Sequence, residues 1–108
     1  MVPPYANRIE VDMLRLESSI ERSVVQRAAS RLGVMLLKVT PDSSTGWPDR
    51  LAVLPGGRVI WLEFKRPGEK PTPKQTYVHG ALRKIGHQVE IITDANVGLG
   101  IIEKALQP

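Results

Sequence analysis

An α/β domain built on a mixed sheet is the fold class this sequence predicts, and three observations carry it. Helix-period apolar stretches alternate with short β-type runs in the order helix, strand, hairpin, helix, strand, helix. Two apolar runs flank the turn Pro55-Gly56-Gly57, as the strands of a hairpin do. A helical segment near residues 73–85 can return the chain in a right-handed crossover, making the third and last strands parallel. At 108 residues the chain supports one domain, residues 1–108, with a single modest core.

The first elements are read in order. Residues 1–7 include two prolines and are expected to be irregular. In residues 8–17, Ile9, Val11 and Met13 alternate as in a strand, while Ile9, Met13 and Leu16 also suit a helix. Residues 1–17 are therefore either an arm or dimerisation segment against a second subunit, or a terminal helix on the domain itself. Ser18 and Glu21 have the spacing of a capping box, so a helix is expected to start there and to stop at Gly33. Ile20, Val24, Val25, Ala28, Ala29 and Leu32 cover one half of its wheel, and Arg22, Gln26, Arg27 and Arg31 the other. Glu21 falls within the apolar half. A carboxylate there needs a cation, a metal or a capping role. Residues 34–39, VMLLKV, read as a well-buried strand, and the polar residues 40–46 as a loop bordering a cleft.

The hairpin can be assigned a register. A two-residue loop at Gly56-Gly57 sets Asp49 opposite Phe64, whereas a three-residue loop at Pro55-Gly56-Gly57 sets Asp49 opposite Glu63. Glycine at the third loop position suits the left-handed residue of the longer type. In that arrangement Ile60, Leu62 and Phe64 face the core, while Val59, Trp61, Glu63 and Lys65 face the other way. A metal site on this hairpin requires the longer loop.

Residues 66–72 form a basic, proline-rich loop, after which Thr72 caps a helix with Pro73 in its first turn. Val78, Leu82 and Ile85 supply its apolar stripe, Gly86 ends it, and His79 lies on its exposed side with no chemistry assigned. Residues 87–93 read as a strand, and Asp94 caps a last helix to about Leu106, although Gly98 and Gly100 weaken it.

Composition narrows the chemistry. A hydrophobic fraction of 42% and a charged fraction of 24% place the chain among ordinary globular proteins. The absence of cysteine excludes disulfides and thiolate-bound zinc, and two histidines argue against a histidine-rich centre. A bound metal should then have oxygen ligands, which suit Mg2+ or Mn2+. The net charge of +4 favours a polyanionic partner such as DNA. No long apolar run opens the chain, so neither a signal peptide nor a membrane anchor is expected, and the cytoplasm is the expected compartment.

Asp49 and Glu63 are candidate metal ligands, with the backbone carbonyl of Phe64 as a third and Glu21 reaching the metal through water. Lys65 points to the same face as Glu63 and is placed to orient a water or stabilise phosphate charge. Gln75 is placed to complete the site. Arg50, Arg66, Lys70 and Lys74, with Arg83 and Lys84, are candidates for phosphate contacts. Trp47 either stacks on a base or strand end, or rims the core. Plainer readings stand beside these: a turn residue for Asp49, a surface ion pair for Glu63 and Lys65, a helix-start residue for Gln75.

Pro48-Asp49 followed by Glu63-Phe64-Lys65 resembles the PD-(D/E)XK nuclease motif. The wider pattern over roughly residues 18–95 (Glu21, GWPDRL, a hairpin, LEFKRPGEKPTPKQ, a closing strand) is similar to the VRR-NUC, or virus-type replication-repair nuclease, family. The resemblance implies a restriction-endonuclease-like core, a mixed sheet of about four strands flanked by helices. It also implies Mg2+- or Mn2+-dependent cleavage of DNA, with Glu21, Asp49, Glu63, Lys65 and Gln75 at the family's motif positions. Small stand-alone members resemble phage-encoded nucleases acting as homodimers on branched DNA, including four-way (Holliday) junctions and flaps. The competing expectation is a DNA-binding module that keeps the fold and does not cut. A non-nuclease hydrolase has no recognisable nucleophile here.

Overall fold

The computed structural model describes residues 7–108. The irregular segment expected at the N-terminus lies, apart from Asn7, outside the described residues. Helix α1, Arg8–Arg27, runs into one π-type turn, Ala28–Leu32, and stops at Gly33 in the left-handed conformation (φ 66°). Strands β1 (Met35–Lys38), β2 (Arg50–Val53) and β3 (Val59–Phe64) follow, then α2 (Pro73–Lys84), β4 (Gln88–Ile92) and α3 (Ala95–Ala105). The fold is α/β, with a four-stranded mixed sheet and three helices.

The start of α1 corrects the expected capping box. Asn7 caps the helix by accepting a hydrogen bond from the Glu10 N–H at 2.9 Å, so Ser18 lies mid-helix. Asn7-x-x-Glu10 has the same spacing as Ser18-x-x-Glu21, and the earlier cap adds nearly three turns of hydrogen-bonded backbone. Residues 8–17 are therefore helical, with Ile9, Met13, Leu14 and Leu16 exposed.

The strands lie in the order β1-β2-β3-β4, antiparallel until the parallel β3–β4 pair that α2 joins. Ile60, Leu62 and Phe64 form one core with Ile20, Val24, Ile92 and Ile102, so α1 and α3 share that side of the sheet. Gly98 permits the close packing: a Cβ there would lie 2.8 Å from Ile92 Cγ2 and 3.3 Å from Val24 Cγ2. The other side carries Trp61 and Glu63, where α2 packs. Two expected burials do not hold. Met35 and Leu37 of β1 are exposed, because β1 is an edge strand with only its Leu36 face on the core. Ile85 is exposed just past the end of α2, where the last inward turn is supplied by Leu82. Among the described residues no helix is long and apolar enough to cross a membrane.

Candidate active site

The turn Pro55–Gly57 has three residues, with Gly56 and Gly57 both at positive φ (77° and 73°). Its register pairs Arg50 with Leu62, so the next position outward sets Asp49 across from Glu63. Asp49 lies just before β2 and accepts a hydrogen bond from the Phe64 N–H at 2.8 Å through Oδ2. That bond ties the carboxylate to the end of β3. Beyond it, Lys65 stays anchored through its backbone N–H to the Ile92 carbonyl at 3.0 Å.

Glu63 and Lys65 are almost wholly buried, at 2% and 5% exposure, which removes the surface ion pair as an account of them. Lys65 Nζ lies 3.5 Å from Glu63 Oε2, and Gln75 Nε2 donates to the same oxygen at 3.0 Å. Gln75 also closes the capping box of α2: its Oε1 accepts from the Thr72 N–H while its own N–H donates to Thr72 Oγ1. One amide thus serves both the helix end and the carboxylate. Glu63 Oε1 is left buried without a hydrogen-bond partner among the described residues, 4.0 Å from His79 Nε2, which is equally unpartnered.

The electrostatics follow from this burial. Burial first, then repulsion from Asp49, push the Glu63 carboxyl up to about 7 against the attraction of Lys65. Burial also raises Asp49, opposed by its bond from Phe64. Two adjacent carboxylates, one with a free buried oxygen, are a donor set suited to Mg2+ or Mn2+. Such ions accept one or two protein carboxylates and fill the remaining positions with water and phosphate oxygens. Among the described residues no group of three or more His, Asp or Glu side chains is placed to hold a metal ion, so these two carboxylates would be its acidic ligands.

Glu21 does not join this pair directly. Its Oε2 accepts from Arg50 Nε at 2.7 Å and lies 3.5 Å from Lys38 Nζ, so the carboxylate in the apolar half of α1 is offset by cations. Arg50 also donates to the Leu36 carbonyl at 3.3 Å, and Arg66 pairs with Glu69 at 3.1 Å. Lys70 and Lys74 are exposed.

Two residues were missed. His79, expected to be exposed, is 1% exposed and faces Glu63. It is the i+4 neighbour of Gln75, and that spacing was the available signal. Burial and the charges of Arg83 and Lys65 lower its pKa, which keeps the ring neutral. Glu17, one turn before Glu21, is the α1 carboxylate whose charge reaches Glu63. Burial, then a hydrogen bond with Glu69 and the Glu69 charge, push it up to about 7. Burial opposes ionisation of Glu69 as well, but the Glu17 hydrogen bond, Lys65 and Arg66 outweigh it and hold Glu69 low.

No protein-family model matches the chain. A solved structure described as "VRR_NUC domain" superposes with a TM-score of 0.73 at 28% identity, covering 82% of this chain and 95% of that one. "Putative nuclease p44" of Acyrthosiphon pisum secondary endosymbiont phage 1 is 42% identical over 76 residues, 70% of this chain and 81% of that protein. The chain belongs to the VRR-NUC family. Its VRR-NUC fold brings Asp49, Glu63, Lys65 and Gln75 together at the end of β3, with Glu17 and Glu21 on α1 to one side.

Proposed function

We propose that this chain is a metal-dependent DNA endonuclease that hydrolyses phosphodiester bonds at the Asp49–Glu63 pair. The observation that carries the reading is the buried Glu63, with one oxygen held by Lys65 and Gln75 and the other free. A phosphate-binding surface gains nothing from two raised carboxyls, which argues against a DNA-binding module that does not cut. Membership of a nuclease family supports DNA as the partner.

Asp49 and Glu63, with the Phe64 carbonyl, are the groups that would hold Mg2+ or Mn2+, and Glu21 contributes through water. Bound there, such an ion supplies Lewis acidity and charge neutralisation to a phosphodiester. Lys65 places its ammonium beside Glu63, where it orients the attacking water or stabilises charge on the phosphate oxygens. Gln75 fixes the rotamer of Glu63. Lys70 and Lys74, both exposed, are available to the DNA backbone, whereas Arg50 and Arg66 act on it only by exchanging their carboxylate partners.

The reading extends to branched DNA, such as four-way junctions or flaps, cut by a homodimer. Paired cuts need two sites, which a chain this small obtains by association. The exposed Ile9, Met13, Leu14 and Leu16 on α1 support such an interface.

The test incubates the protein with labelled linear, flap and four-way DNA in magnesium, manganese or chelator. Cleavage should require the metal, and Lys65→Ala or Asp49→Asn should lower it by roughly 10²-fold or more. Undiminished cutting by either variant overturns the site. Sedimentation at several concentrations reads the dimer directly.

A further inference from the structure

A cleft of about 720 Å³ opens between the 43–47 loop and the first turns of α2. Ser43, Ser44, Thr45, Trp47, Lys74 and Tyr77 line it. Its volume lies within the ~300–1,000 Å³ range of small-molecule sites. Tyr77 stands 78% exposed, an unusual state for a large aromatic ring in a folded domain.

We propose that this cleft takes one unpaired nucleobase of the DNA strand being cut, stacked against Trp47 and Tyr77. The proposal rests on the nuclease reading and names the substrate feature that site selects. Both walls of the cleft adjoin site residues along the chain. Trp47 is two residues before Asp49, and Lys74 immediately precedes Gln75, the amide on Glu63. The proposal sets such a base on a nucleotide close in the strand to the phosphate that Asp49 and Glu63 would face.

The chemistry of the lining fits that occupant. Aromatic faces stack on any base, and the Lys74 ammonium suits the accompanying phosphate. The hydroxyls of Ser43, Ser44 and Thr45 both donate and accept, so they pair with a base edge without demanding one sequence. The cleft is also preformed. Trp47 Nε1 donates to Ser44 Oγ at 3.2 Å, and Trp61 backs the indole at a centroid distance of 5.7 Å. Gly46, at φ 90°, lies so close to α2 that a Cβ would sit 2.7 Å from the Lys74 carbonyl oxygen. A paired and stacked base enters such a cleft only after unstacking, whereas an unpaired one enters without that cost. The cleft therefore favours substrates with an unpaired nucleotide beside the cut.

The test uses the full chain in chelator, so that binding is read without cleavage. The probe is a short thymidine-rich single strand carrying one 2-aminopurine, compared with the same base inside a blunt duplex. Binding should quench the single-stranded probe by stacking and leave the duplex probe unquenched. Tyr77→Ala should weaken single-strand binding roughly tenfold, and Tyr77→Phe should retain it. Blunt-duplex affinity should change less than about twofold in either variant. Equal binding by Tyr77→Ala and wild type, or an unquenched single strand, overturns the proposal. So does a dimer that Tyr77→Ala dissociates, because the cleft is then a protein interface. Metal-dependent cleavage with no quenching defeats this inference alone; quenching without cleavage defeats the nuclease reading alone.

Discussion

Oε1 of Glu63 lies 4.0 Å from Nε2 of His79, and neither atom has a hydrogen-bond partner among the described residues. A neutral imidazole facing a buried carboxyl at that separation leaves the oxygen poorly compensated. The proton that Glu63 retains up to about pH 7 is one answer to that deficit, and a divalent cation is another.

The first prediction follows from the sign of this shift. A carboxyl raised from 4.5 to about 7 makes the folded state hold a proton that the unfolded chain releases. Stability from this group is therefore full below about pH 4.5 and falls as pH rises through 7, by on the order of 2 kcal/mol. In the proposed metal role magnesium would bind the ionised form, so it should raise the Tm at ~pH 8 and have little effect at ~pH 5. Thermal unfolding at both pH values, with and without magnesium, measures this. Equal magnesium shifts at the two would show that Glu63 is not a ligand.

A second prediction separates the two tasks of Gln75. Gln75→Glu keeps an oxygen for the Thr72 N–H but loses the donor to Glu63 and sets a negative charge against it. Gln75→Ala loses both contacts. Each should cost roughly 1–2 kcal/mol without metal. Only Gln75→Glu should show a larger magnesium-induced Tm shift than wild type, since a cation relieves the added repulsion. A wild-type shift in that variant would put Gln75 outside the metal's field.

The third concerns Glu21. Its bond to Arg50 spans α1 and β2, and both side chains are only about one-fifth exposed (18% and 21%). A double-mutant cycle of Glu21→Gln and Arg50→Gln should give a coupling of about 1 kcal/mol in urea unfolding, between the surface and buried extremes. If Glu21 also serves the metal through water, Glu21→Gln should lower cleavage in magnesium far more than Arg50→Gln does. Matching losses in the two variants would leave Glu21 with a structural role only.

The sequence showed the hairpin more clearly than the helices. The three-residue turn was legible because Gly57 marks a left-handed position, and that turn places Asp49 opposite Glu63 whatever surrounds it. Thr72 and Gln75 were legible as a helix start for the same local reason. Glu17 was hidden because Ser18-x-x-Glu21 has a capping spacing, and starting the firm helix there left Glu17 in a segment that read equally as an arm or a terminal helix. His79 was hidden because the wheel of α2 was centred with Ile85 as a core position. With Ile85 exposed, the inward face shifts toward Gln75, Val78, His79 and Leu82. The exposed face of β1 depends on which side of the sheet the helices cover, a tertiary fact that local pattern does not carry.

The turn at Pro55–Gly57 also fixes when the carboxylates meet. Hairpins close locally, in about 1–10 μs, whereas the parallel β3–β4 pair must wait for α2 to cross over. Asp49 and Glu63 can thus be drawn together by the nearest piece of chain, with Lys65 arriving on the same strand and Gln75 only after the crossover. Protonation that quiets the pair's repulsion should then act on the speed of folding as well as on the finished molecule.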